Sequence, residues 1–100
     1  MDKRRKHADP EAEQQFRADF YAAVGTGELT LGQAVATMRR ISKLTQPEFA
    51  MHRGLSVQAL RQIEADRGNP TVETLDKIAS IFGLQVGFVP RSVGQSRIRP

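Results

Sequence analysis

Cysteine is absent from the 100-residue chain, which excludes disulfides and thiolate metal sites and fits an expected cytoplasmic location. Histidine is scarce, with His7 near the start and His52 in the middle. No Gly-rich phosphate loop, paired-carboxylate motif or metal-ligand spacing accompanies them, so neither an enzyme nor a metal or organic cofactor is expected. No stretch approaches the roughly 18 consecutive apolar residues of a membrane span, and no secretory pattern opens the chain, so no membrane partner is expected. What is present is ordinary: 39% hydrophobic and 26% charged residues suit one globular domain with a modest core.

The charge is unevenly placed. A net charge of +4 and an isoelectric point near 10.1 are by themselves a weak pointer to nucleic acid. Residues 9–28 carry five carboxylates against the single base Arg17. From position 39 to 67 stand Arg39, Arg40, Lys43, Arg53, Arg61 and Arg67 against three acids, and further basic residues cluster at 3–6 and 91–99. Positive charge thus concentrates in the centre and the two tails.

Local signals divide the chain into short helices. Asp9-Pro10 reads as an N-cap with proline at the first helical position, and Phe16, Phe20, Ala23 and Val24 follow at helical spacing to a stop at Gly25. Thr30-Leu-Gly-Gln33 is a capping-box spacing, in which each side chain satisfies the other's free amide. It opens a helix that turns Leu31, Ala34, Val35, Met38 and Ile41 inward. A second box, Thr45-Gln-Pro-Glu48, opens a short helix with Phe49 and Ala50. Gly54 then breaks the pattern, and Ser56 caps a helix carrying Leu60 and Ile63 toward Gly68. After the Asn69-Pro70 turn, Thr71 caps a helix with Val72, Leu75, Ile78, Ala79 and Phe82 on one side and a stop at Gly83. Leu84, Val86 and Phe88 alternate with Gln85 and Gly87, which predicts one strand in need of a partner. The expected division is a basic disordered arm over 1–8, an additional helix over 9–25, a helix-turn-helix domain with a C-terminal strand over 30–90, and a flexible basic tail over 91–100.

Two capped helices around a glycine are, by spacing alone, either a helix-turn-helix or a plain helical hairpin. The residue types narrow the choice. A helix-turn-helix needs a small residue where the helices cross (Ala50), a residue tolerant of positive φ in the turn (Gly54), and apolar residues where the second helix docks (Leu60, Ile63). The pattern Thr45-Gln46-x-x-Phe49-Ala50, Gly54-Leu55-Ser56, Leu60-x-x-Ile63-Glu64 and Gly68-Asn-Pro-Thr-x-x-Thr-Leu-x-Lys-Ile-Ala resembles the Cro/repressor (XRE) class of regulators from Leu31 to Pro90. The resemblance implies an all-α fold: a compact five-helix bundle, here with an added N-terminal helix and a short C-terminal β-strand. One position departs from it. The usually aliphatic eighth site of the motif is Arg53, so either its stem lies along the core with the guanidinium outside, or the short helix is slightly rotated.

The same resemblance implies a DNA-binding function, as a repressor on a palindromic operator. The helix after Ser56 then lies in the major groove, with Val57, Gln58, Arg61 and Gln62 at base edges. Thr45, Gln46, Arg53, Arg67 and Asn69 are the candidate phosphate contacts, and Glu64 is expected to bond within the protein, with Arg67 a candidate partner. One reading helix covers few base pairs, so a homodimer is expected, with Leu84, Val86 and Phe88 pairing as a strand across it in the manner of HipB-type antitoxins. Small size, the extra helix and the C-terminal strand incline the reading to the antitoxin of a toxin–antitoxin pair that autorepresses its operon. The partners implied are double-stranded operator DNA, a second copy and a cognate toxin. A freestanding phage-type or restriction–modification controller, and a protein-binding adaptor without DNA, are the alternatives.

Overall fold

The structure, a computed structural model, describes residues 9–90; the basic arm expected at 1–8 and the tail expected at 91–100 lie outside the described residues. Five α-helices follow one another: α1 (Pro10–Thr26), α2 (Leu31–Ser42), α3 (Gln46–Arg53), α4 (Val57–Glu64) and α5 (Val72–Ala79), the last continued by a 3₁₀ turn, Ser80–Phe82. The expected caps form. Asp9 accepts from the amides of Glu11 and Ala12, both capping boxes are complete, and Ser56 and Thr71 each accept from the amide three residues on.

Three expectations are corrected, and the expected C-terminal strand does not form in the single chain. Helix α1 runs past Gly25 and ends at Gly27, whose φ of 73° is the left-handed cap conformation. Helix α4 stops at Glu64, short of Gly68. The count of five α-helices includes α1, so four α-helices and a 3₁₀ turn follow it where five helices were expected. Residues 84–90 carry no regular secondary structure, and among the described residues there is no strand. A single chain offers that segment no second strand, and the amide of Val86 is instead taken by Asp76 Oδ1 at 2.9 Å.

The core lies where α2, α3, α4 and α5 converge. Phe49, Leu60 and Ile78 are wholly buried, with Val35, Met38, Ile63 and Leu75 around them. Helix α1 closes one side: Phe20 is buried and meets Phe82 edge to face at 6.1 Å, while the Tyr21 hydroxyl donates to the Phe82 carbonyl at 2.9 Å. Leu31 and Val72, expected inside, are 53% and 61% exposed. Both stand at the first position of a helix, ahead of the turn that docks.

Helix α2 crosses α4 at a glycine. A Cβ on the buried Gly32 would sit 2.6 Å from the Glu64 carbonyl and 2.7 Å from that of Ile63. Backbone meets backbone there, and only a residue without a side chain fits. Asp66, itself at a φ of 58°, fastens the crossing: one carboxylate oxygen accepts from the Gly32 amide at 2.7 Å and the other from the Thr30 hydroxyl at 2.6 Å.

Candidate nucleic-acid interface

Helices α3 and α4 join through Gly54, whose φ of 73° turns the chain sharply enough for Leu55 to donate back to Ala50. Ala50 is buried at the crossing, and Phe49, Leu60 and Ile63 pack beneath it. The pair therefore presents one outer face, fixed from below.

That face carries Gln58, Arg61 and Gln62 of α4, all exposed, and with Arg67 they line an open hollow of about 280 Å³. Val57, at the first position of α4, is half-buried and packs in part against the core. Thr45 is exposed, but its hydroxyl and amide are both engaged by Glu48 in the capping box. The Thr45 amide and hydroxyl hold the Glu48 carboxyl below its ordinary pKa. Asn69 and Arg67 lie exposed beyond α4.

Arg53 resolves the misfit in the motif. Its guanidinium lies over the Phe49 ring, 4.4 Å from the centroid, and its Nε is buried without a hydrogen-bond partner. Burial lowers the pKa of the side chain. The stem follows the core while the cation stacks on an aromatic face, where the ring's quadrupole replaces part of the lost hydration.

Beneath the outer face runs a polar chain only partly visible in the sequence. Glu64 does not pair with Arg67, as the i+3 spacing suggested. Its partner is Arg39 of α2, which donates from Nε at 2.8 Å and from a terminal nitrogen at 3.1 Å and also donates to the Leu44 carbonyl. Gln46 Nε2 donates to the same carboxylate at 3.0 Å, and Gln46 Oε1 accepts from Arg61 Nε at 3.3 Å. Burial pushes the Glu64 pKa up, but the bonds from Arg39 and Gln46 and the charges of Arg39 and Arg40 outweigh it, and the net shift is downward. The bond to Glu64 in turn raises the pKa of Arg39. Lys43, exposed at the end of α2, bonds Glu13 of α1. No helix among the described residues is long and apolar enough to cross a membrane.

A buried crossing, a left-handed turn and a second helix with a polar outer face together define a helix-turn-helix domain. A family profile described as "Helix-turn-helix" matches residues 35–89. The immunity repressor protein of Bacillus phage phi105 is 39% identical over 61 residues, covering 61% of this chain and 42% of the repressor. An uncharacterized HTH-type transcriptional regulator, y4dJ, of Sinorhizobium fredii is 41% identical over 54 residues, covering 54% of this chain and 70% of that protein. The chain thus spans less than half the length of the phage repressor. No solved structure matches the chain. The chain belongs to the Cro/repressor (XRE) helix-turn-helix family.

Proposed function

We propose that the chain is a sequence-specific DNA-binding transcriptional repressor acting as a homodimer on a palindromic operator. The observation that carries this reading is the convergence of Gln58, Arg61, Gln62 and Arg67 on the open side of α4. Glutamine offers adenine one donor and one acceptor, and arginine offers guanine O6 and N7 two donors. Helix α4 enters the major groove with this face, and Val57 stands at its leading end toward a thymine methyl. Thr45, Gln46 and Arg53 on one side, and Arg67 and Asn69 on the other, meet phosphates and set the register. The name of the phage relative supports repression. Such a regulator works in the cytoplasm.

Dimerisation falls to the segment of Leu84, Val86 and Phe88. Phe88 is fully exposed and Val89 is 49% exposed, a run of apolar surface suited to a second copy. In the dimer the two segments pair as strands. A cognate toxin would find its footing on the exposed acidic face of α1, formed by Glu11, Glu13 and Asp19; the phage relative favours the repressor reading.

The test is a mobility shift with the DNA upstream of the coding gene, run against an unrelated duplex over a salt series. Preferential retention with affinity falling steeply as salt rises is expected. Equal, weak binding to both duplexes would overturn the operator assignment. Arg61→Ala should lose roughly tenfold or more of the preference at one base pair, in line with about 1–3 kcal/mol per bidentate contact.

A further inference from the structure

We infer that Gln46 is a positioning residue for sequence readout: its amide, oriented by Glu64, aims the guanidinium of Arg61 at a base edge. The inference rests on the DNA-reading assignment above and concerns how one base pair is selected.

Arg39, Glu64, Gln46 and Arg61 form a continuous chain of hydrogen bonds from the α2–α4 seam to the reading face, with links of 2.8, 3.0 and 3.3 Å. Only one orientation of the Gln46 amide satisfies both neighbours. Its NH₂ end must meet the carboxylate, and its oxygen must meet the guanidinium. Turned over, the amide would set acceptor against acceptor and donor against donor. Glu64 imposes the choice because it is ionised and itself clamped by Arg39.

The consequence falls on Arg61. An exposed arginine loses rotamer entropy when it is fixed, and a side chain already restrained loses less on meeting its target. The bond from Nε to Gln46 restrains the plane of the guanidinium and leaves its terminal nitrogens free. Those nitrogens form the fork that meets guanine O6 and N7. The contribution of Gln46 is therefore directional, concentrated at the base pair that Arg61 reads. A pure phosphate anchor in the same place would weaken every sequence alike.

The experiment begins with a duplex library randomised at its centre and selected against the whole chain. Affinities for every single-base variant of the selected site are then measured with the wild type, Arg61→Ala, Gln46→Ala, Gln46→Met and the double variant Gln46→Ala with Arg61→Ala. Gln46→Met keeps the side-chain volume and removes both bonds, so a weakened fold and a lost orientation are separated, and thermal melts confirm that each protein is folded at the assay temperature. Both Gln46 variants should lose about tenfold preference at the same base pair as Arg61→Ala. The double variant should lose no more than Arg61→Ala does at that position. Exchanging the groups, as Gln46→Glu with Glu64→Gln, restores an acceptor for Arg61 and should keep the preference while lowering affinity for all sequences. Uniform weakening by Gln46→Ala and Gln46→Met, with the preference intact, would overturn the inference and leave the operator reading standing. Failure of the wild type to select any sequence would instead overturn both.

Discussion

Glu64 shows how a single residue decides more than its neighbourhood suggests. It sits at the nineteenth position of the motif counted from Gln46 and is only 10% exposed in its side chain, yet it remains charged because Arg39 and Gln46 bond it. Removing one partner of such a pair leaves the other uncompensated, and Glu64→Gln should cost roughly 2–4 kcal/mol at neutral pH. Its pKa is depressed in the folded chain, so its stabilisation is complete above the unfolded value near 4.5 and is lost as pH falls through the lower folded value. Melting temperatures of the wild type and Glu64→Gln should therefore differ most near pH 7 and converge as the pH falls below the unfolded value of Glu64. A gap that stays constant down to pH 3 would show that the charge is not what matters. Gly32 is the companion case. With carbonyls 2.6 and 2.7 Å from its missing Cβ, Gly32→Ala should destabilise by about 1–3 kcal/mol or more, despite the better helix propensity of alanine. Chemical denaturation measures it, and a stabilised variant would mean that α2 and α4 do not touch there.

At the scale of the element, the sequence showed the beginnings of helices well and their relations poorly. Asp9, Thr30, Thr45, Ser56 and Thr71 cap as read because a cap is settled within three or four residues. The end of α1 was misplaced by two residues because two glycines compete, and the one chosen is the one that C-terminal hydrogen bonds can reach. The partners of Glu64 and Asp66 were not legible, since Arg39 and Thr30 lie 25 and 36 residues away. What brings them together is the close crossing at Gly32, which looked like an idle position inside a capping box. An unexplained glycine in a helix was the available signal. The alternation at Leu84, Val86 and Phe88 is plain in the sequence, but a ladder needs a second strand and the single chain supplies none. Helix α1 joins the folded body through Phe20 and Tyr21, with Val24 and the Glu13–Lys43 bond beside them. Phe20→Ala should cost about 3–5 kcal/mol as a buried aromatic truncation, and Tyr21→Phe about 1 kcal/mol for the bond to the Phe82 carbonyl. Equilibrium unfolding of both variants checks this, and wild-type stability in Phe20→Ala would free α1 from the core.

For the whole molecule, the decisive quantity is whether two copies meet at the C-terminal segment. A two-fold dimer places the same patch on both sides of its axis, so one substitution alters the interface twice. Phe88 is fully exposed, and Phe88→Asp should leave helical content unchanged while shifting sedimentation from dimer toward monomer. A dimer that persists would move the interface to another face. On the proposed two-fold reading, operator affinity should fall with it, because each separated copy would meet a single half-site. The close seam between α2 and α4 has a further consequence for motion. The Gly32 amide is held by a carboxylate 34 residues away, so exchange of its hydrogen with solvent reports release of the contact between the first turn of α2 and the turn that follows α4. That one amide is thus a spectroscopic clock for opening of the body that supports the reading helix.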